Sequence, residues 1–246
     1  MFAPLPYGVS LAGWYFIGIQ LMLMWLSYRS RGAVARMKAL PSRTRHFATT
    51  IVMQVLYLSL SLLVARSYWV DFFPRRMPTP LGIAAGLGAA GVLAFAMYPL
   101  WRKAVLSRSR RIHFFTPKGA KEKALWVGVS LAAGIGEEVT YRGMLFLLLW
   151  TLTGSPWLGA ILSALVFAGG HAFQSRVSMV IIFGFALLFQ ALAFWTGTLY
   201  VSMLGHVVYD IIAGLMYAKL ARELGYVPDV PEASGTGTIT PQPTPP

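Results

Sequence analysis

The sequence predicts an all-α protein, a polytopic membrane bundle of about seven to eight transmembrane helices. Two observations lead to this fold class. Of the 246 residues, 57% are hydrophobic and only 12% are charged, and several apolar runs approach the roughly 20 residues that a helix needs to cross a bilayer. The positive charge is also clustered, because 14 of the 21 Lys and Arg residues lie at positions 29–45 or 102–123. Such clusters are typical of cytoplasmic loops in membrane proteins.

The charge pattern also indicates the partners and the compartment. Although the net charge is +13, the clustering of most basic residues in two loops argues against nucleic-acid binding and favours contact with the lipid bilayer. The absence of cysteine excludes disulfides and Cys-ligated zinc. Residues 1–10 lack the features of a signal peptide, so the first apolar run is expected to stay as a span. We therefore expect an integral protein of the plasma (inner) membrane, with its amino terminus outside and its carboxyl terminus in the cytoplasm.

Residues 1–122 are predicted to form amino-terminal transmembrane helices joined by basic cytoplasmic loops. The spans are expected at residues 11–28, 47–68 and 81–101. His46 lies in the first basic loop, where we expect a solvated surface residue, and His113 lies in the second, beside two phenylalanines that suit the headgroup region. Neither histidine is expected to have a functional role.

The fourth apolar run, residues 124–150, contains Glu137, Glu138 and Arg142. Its 27 residues would extend about 40 Å as a helix, which exceeds a bilayer core of about 30 Å. Three glycines bracket the charged residues, so a kink, a tilt or a break into two helical pieces is expected there; these are Gly134, Gly136 and Gly143.

Ionisable side chains at membrane depth each cost about 2.5–3.5 kcal/mol, so they are usually paired and functional. Residues four apart share a helix face, which predicts that Glu138 pairs with Arg142 while Glu137, about 100° away, stays free to accept and return a proton. The two carboxylates would titrate as a coupled pair, so assigning the proton to Glu137 is a choice of description. The alternative is a helix end at the interface, with all three side chains reaching water.

The last three spans are expected at residues 157–173, 178–195 and 197–218. His171 lies in the first of them and four residues after Phe167, so the two rings are expected to pack together. His206 and Asp210 share one face of the last span, where the carboxylate can orient the imidazole. The acid–base groups thus fall in three of the last four spans, which predicts a site between them. Residues 222–246, rich in Pro, Thr and Gly, are expected to be disordered.

Three motifs in this order, Glu137-Glu138-x-x-x-Arg142, Phe167-x-x-x-His171 and His206-x-x-x-Asp210, resemble the CPBP family of CAAX-protease, bacteriocin-processing and Abi-like membrane proteins. The resemblance covers about residues 123–221, which would then be the catalytic core. It implies an intramembrane endopeptidase that cleaves a membrane-associated or lipidated peptide or protein with a glutamate-activated water.

The resemblance also implies a role for each site residue. Glu137 matches the general base, His171 helps to hold the water, and Glu138 with Arg142 is the supporting pair. His206 and residue 210 match the groups that face the developing oxyanion. The eukaryotic enzymes have Asn where this chain has Asp210, and an ionised aspartate would repel an oxyanion. Stabilisation there requires a protonated Asp210 or His206 as the donor.

Several alternatives stay open from the sequence. The favoured mechanism needs no cofactor, but two histidines with glutamates leave a divalent metal such as zinc open, although no His-Glu-x-x-His helix is present. A second function is a non-catalytic scaffold or bacteriocin-immunity protein of the same family. A third is an ion or proton transporter, against which the lack of internal repeats argues. A fourth is a haem protein with His171 and His206 as axial ligands.

Overall fold

A computed structural model describes residues 3–75, 77–228 and 230–231. Over these residues all regular elements are helices, which confirms the predicted all-α class. In chain order they are α1 (Leu11–Arg29), α2 (Ala33–Arg36), α3 (Arg43–Ser67), α4 (Pro80–Leu106), a 3₁₀ helix (Arg110–Phe115), α5 (Gly119–Glu137), a π-helix (Glu138–Leu145), α6 (Phe146–Thr153), α7 (Pro156–Gly170), α8 (Arg176–Thr196) and α9 (Tyr200–Glu223).

Five helices are long and apolar enough by themselves to cross a membrane, namely α1, α3, α4, α8 and α9. Helix α7 is a shorter apolar helix, and α5, the π-helix and α6 follow one another without a loop. Large apolar side chains remain exposed on the outside of the bundle, as Phe95 on α4 and Leu63 on α3 illustrate. Such side chains suit a lipid environment, so the chain is a polytopic membrane protein, as predicted.

The two basic segments meet at one end of the bundle, which we call the basic end (residues 29–45 and 102–123). Arg110 donates to the backbone oxygen of Ala35 at 2.8 Å, and Arg43 pairs with Glu122 at 3.2 Å. The opposite end is tied by uncharged groups, as where the Leu5 amide donates to the Thr151 hydroxyl at 2.8 Å. Both basic loops therefore lie at the same end of the bundle, as the positive-inside rule predicts.

The expectation that His46 is a solvated surface residue is not met, and the histidine of the second basic loop, His113, lies deeper still. Its side chain is fully buried, because the 3₁₀ helix folds in beside the first turn of α3. Nε2 donates to the Pro41 carbonyl at 2.7 Å, so Nδ1 is the nitrogen that accepts from Arg43 at 2.6 Å. His46 is half-buried, with its ring 4.9 Å from that of Phe114.

The expected start of the disordered tail at residue 222 also differs from the structure. Residues 222 and 223 complete the last turn of α9, and Tyr226 is buried and donates to the backbone oxygen of Ser109 at 3.0 Å. The aromatic side chain explains the difference, because it holds this stretch against the basic end. Residues 232–246 of the predicted tail lie outside the described residues.

The path from α5 through the π-helix to α6 forms the centre of the bundle. Residues 144–148 are almost completely inaccessible to solvent, and Glu138 and Arg142 are 0% and 2% exposed. This burial contradicts the alternative in which the charged stretch is a helix end that reaches water. The charges lie inside the bundle, where only protein groups can compensate them.

Close contact between α5 and α9 depends on Gly134. A Cβ atom at this position would lie 2.9 Å from the backbone nitrogen of Val207, which cannot rotate away. We expect Gly134→Ala to lower the free energy of unfolding by about 1–3 kcal/mol, because overpacking forces the two helices apart. Thermal unfolding of the purified protein in detergent measures the change.

Gly91→Ala is the matched control for this prediction. Gly91 also lies within a membrane helix, α4, but a Cβ atom there would meet nothing within 4 Å. Alanine at this position is expected to be neutral or to stabilise by up to about 1 kcal/mol. Equal unfolding temperatures for the two variants would show that α5 and α9 are not in the contact described.

Candidate active site

The irregularity predicted between Gly134 and Gly143 takes the form of a π-helix over Glu138–Leu145. The amide of Phe146 bonds to the Tyr141 oxygen, five residues earlier, and the Ser163 hydroxyl donates to the same oxygen at 2.6 Å. π-helical turns are rare and occur often at functional sites. Here the wider turn begins at Glu138, directly after Glu137 ends α5.

Glu138 is the fully buried centre of a charged cluster. One of its oxygens, Oε1, lies 3.5 Å from Nη1 of Arg142, as the spacing of four residues predicts, and 2.8 Å from Nδ1 of His206 on α9. An ionised carboxylate only accepts hydrogen bonds, so Nδ1 of His206 carries a proton and donates it. This contact orients the imidazole and leaves its Nε2 for the cavity.

One carboxylate and one aromatic ring compensate the positive charge of Arg142. Its guanidinium carbon lies 4.1 Å from the ring centroid of Phe167, a cation–π contact, and its nitrogens make no hydrogen bond to any described residue. The Phe167 ring in turn packs at 4.7 Å from that of His171, as predicted. Phe167 thus connects the buried ion pair with the second motif.

Glu137 presents its two oxygens to different partners. Oε1 accepts a hydrogen bond from Nε2 of Gln54 on α3 at 2.6 Å. Oε2 lies 3.7 Å from Nε2 of His206, which is longer than a direct hydrogen bond. One oxygen is held by the protein, and the other faces an imidazole nitrogen without bonding to it.

The same nitrogen of His206 also faces Asp210. The distance from Nε2 to Oδ2 of Asp210 is 3.6 Å, one turn along α9. The imidazole stacks on Phe189 at 5.5 Å with an interplanar angle of 14°. The backbone oxygen of Asp210 accepts from the Trp126 indole at 2.9 Å, which fixes α9 against α5. Oxygens of two carboxylates, from Glu137 and Asp210, therefore face the same imidazole nitrogen.

The expectation that His171 lies within a membrane span is corrected, because α7 ends at Gly170. The amide of His171 bonds to the Ala168 oxygen in a tighter turn, and the chain leaves the helix there. Nδ1 of His171 lies 2.9 Å from the Phe167 carbonyl, which can only accept, so Nδ1 carries the proton. In the neutral ring Nε2 is then an acceptor.

Five of the six predicted site residues line one cavity of about 460 Å³, namely Glu137, Arg142, His171, His206 and Asp210. Glu138 lies behind them, in contact with two of them. Most other walls are aromatic, and the lining continues to the 3₁₀ helix at the basic end; it includes Trp101, Phe114, Phe115, Trp126, Phe185 and Tyr209. The acid–base groups thus lie in an apolar pocket that extends toward the basic end.

A divalent metal such as zinc is the cofactor that the sequence leaves open. Among the residues that the structure describes, no group of three or more His, Asp or Glu side chains is placed to hold one ion.

Gln54 is the site residue that sequence reasoning missed, since it assigned no function to the first three spans. A signal existed, because an amide inside an apolar run is costly unless it finds a partner. The partner itself was not predictable from local spacing, because Gln54 and Glu137 are 83 positions apart.

Comparison with known proteins gives one family match. Residues 120–212 match the family described as type II CAAX prenyl endopeptidase Rce1-like. This segment, less than half of the chain, is similar to the CAAX-type intramembrane proteases. No curated protein and no solved structure matches the chain. The matched segment runs from the start of α5 into α9 and contains all six predicted site residues. The resemblance read from the three motifs is confirmed, and the protease is a membrane-embedded peptidase.

Proposed function

We propose that this protease hydrolyses a peptide bond in a membrane-associated or lipidated peptide or protein, with a water molecule that Glu137 activates. The observation that carries the proposal is the convergence of Glu137, His206 and Asp210. Oxygens of the two carboxylates lie 3.7 and 3.6 Å from one imidazole nitrogen, in the wall of one cavity. Such spacing leaves both acid and base able to reach a group placed between them.

In this mechanism the water lies beside Oε2 of Glu137, the oxygen that Gln54 does not hold. Glu137 takes a proton from the water as the oxygen attacks the scissile carbonyl carbon, and a tetrahedral intermediate forms. Collapse of the intermediate breaks the carbon–nitrogen bond, and Glu137 returns its proton to the leaving amine. His171, whose Nε2 accepts hydrogen bonds, holds the water in line.

The oxyanion of the intermediate faces His206 and Asp210. Because an ionised Asp210 would repel it, one proton is required on Asp210 or on Nε2 of His206. Glu138 supports this step, since its bond to Nδ1 orients the ring and favours a charged imidazole. Arg142 offsets the charge of Glu138 within the buried cluster.

The cavity walls support a class of substrate, and the charge pattern supports a side of entry. Aromatic and apolar side chains surround the acid–base groups, so a hydrophobic or lipid-bearing segment fits better than a charged one. The basic end is proposed to be cytoplasmic by the positive-inside rule, with the amino terminus outside and the protease in the plasma membrane. Substrates then enter from the cytoplasmic side.

The test is cleavage of a panel of membrane peptides, lipidated and unmodified, by the purified protease in nanodiscs. Mass spectrometry identifies the products of the wild-type protein and of Glu137→Gln, each with and without a chelator. Cleavage that needs Glu137 and resists the chelator supports the proposal. Loss on chelation with recovery on adding zinc would establish the metal-dependent alternative. An immunity or binding activity that survives in Glu137→Gln, without cleavage by either protein, would establish the scaffold.

A further inference from the structure

Gln54 lies outside the segment that matches the family, on α3, and yet touches the proposed base. Its side chain is buried, with the residue 9% exposed, and it lines the same cavity as Glu137. Nε2 donates to Oε1 of Glu137 at 2.6 Å, a short bond to a carboxylate. We propose that Gln54 is a positioning residue, which fixes the rotation of the Glu137 carboxylate so that Oε2 faces the cavity. The inference rests on the proposed function.

The approach of Gln54 depends on Gly136. A Cβ atom at position 136 would lie 3.0 Å from the backbone oxygen of Gln54 and 3.4 Å from its Oε1. Without a side chain there, α3 comes close enough to α5 for the amide to reach the next residue, Glu137. The contact is therefore built into the packing of the two helices.

A role in helix packing alone would not account for this amide. Oε1 of Gln54 is buried and makes no hydrogen bond to any described residue, so only half of the amide is satisfied by the fold. A buried acceptor without a partner costs free energy, and an apolar side chain of the same length would avoid that cost. The feature that Gln54 supplies, and that such a side chain would not, is the donor to Glu137.

The consequence for the reaction is geometric. A carboxylate on a flexible side chain can rotate either oxygen toward the imidazole or away from it. Held through Oε1, Glu137 keeps Oε2 at 3.7 Å from Nε2 of His206, where a water can bridge the two. Loss of the donor is therefore expected to slow the chemical step and to leave substrate binding unchanged.

The experiment compares Gln54→Met with Gln20→Met in the cleavage assay. Gln20 is the matched control, a buried glutamine on α1 whose amide nitrogen makes no hydrogen bond to any described residue. Gln54→Met is expected to lower kcat by about tenfold to a hundredfold with KM unchanged, the range for a bond to a charged group. Gln20→Met should keep the wild-type kcat. Thermal unfolding separates either result from a loss of folded protein.

A second variant, Gln54→Glu, tests the donor directly. At neutral pH it places a carboxylate against Glu137, so kcat should fall further than in Gln54→Met. As the pH is lowered, the new carboxylate at position 54 becomes protonated and can donate a hydrogen bond again. The kcat of the variant, relative to that of the wild-type protein, should then rise. The other titratable or charged groups around Glu137 are the same in both proteins; these are Tyr57, Glu138, Tyr141, Arg142, His171, His206 and Asp210.

The possible results separate this inference from the proposed function. If Glu137→Gln is inactive while Gln54→Met keeps the wild-type kcat, Gln54 does not position the base and the proposed function stands. If kcat falls equally in Gln54→Met and Gln20→Met, the effect is a general one of buried amides and the inference is overturned. Cleavage that survives in Glu137→Gln would overturn the proposed function and this inference with it.

Discussion

The Glu137→Gln variant is expected to cleave its substrate about 10²–10⁴-fold more slowly than the wild-type protease. Glutamine keeps the shape of the side chain but cannot take a proton from water, and positioned general bases contribute rate factors of this size. The loss should appear in kcat, because Glu137 transfers protons in the chemical step and does not hold the bound peptide. Initial rates over a range of peptide concentrations separate kcat from KM.

Two further variants test whether the loss of activity is specific to the carboxylate of Glu137. Glu223→Gln removes a half-exposed carboxylate at the end of α9, outside the cavity, and should cleave at the wild-type rate. Glu137→Asp keeps a carboxylate but shortens the side chain by one carbon, which breaks the 2.6 Å contact with Gln54 and should give an intermediate rate. A Glu137→Gln rate within a few-fold of wild type would show that another group activates the water.

Arg142→Met is expected to lower the free energy of unfolding by about 3–5 kcal/mol, the usual cost of removing one partner of a buried ion pair. Arg142 and Glu138 are 2% and 0% exposed, so water cannot replace the lost charge. Glu138 would keep its hydrogen bond to His206 but lose the guanidinium beside it. Thermal unfolding in detergent, or loss of the folded monomer in size-exclusion chromatography, measures the change.

The control for Arg142→Met is another pair at the same spacing in an exposed position. Lys219 and Glu223 lie 3.9 Å apart on α9, with side chains 56% and 48% exposed. Lys219→Met is expected to change the free energy of unfolding by no more than about 0.5 kcal/mol, because exposed pairs of this kind contribute little. A loss for Arg142→Met as small as that for Lys219→Met would mean that water reaches the Glu138 cluster.

The sequence predicted what depends on neighbours along one helix. Hydropathy and clustered charge placed the first three long helices to within a few residues, because span length and loop charge are local properties. His206 and Asp210 are close in space as predicted, since residues four apart share a face in an α-helix. Glu138 and Arg142 also meet as predicted, at 3.5 Å, although their turn is π-helical.

The parts that sequence reasoning missed depend on contacts between helices. Nothing in the spacing shows that His206 meets Glu138, 68 positions away, or that Gln54 meets Glu137. The burial of His113 has the same origin, because it results from the docking of a 3₁₀ helix onto α3. The sequence alone does not show whether a polar residue is buried or exposed to water, because its burial depends on partners in other helices.

Two parts of the chain form the cavity wall, and this affects how such proteases can change the peptides that they accept. The six predicted site residues all lie within residues 120–212, but part of the wall comes from α3 and α4, through Phe47, Gln54 and Trp101 among others. A chimaera that transplanted residues 120–212 alone would carry the reactive groups and lose one flank of the pocket. Exchange of α3 and α4 with Gln54 retained is therefore expected to alter which peptides are accepted while the hydrolytic chemistry is kept.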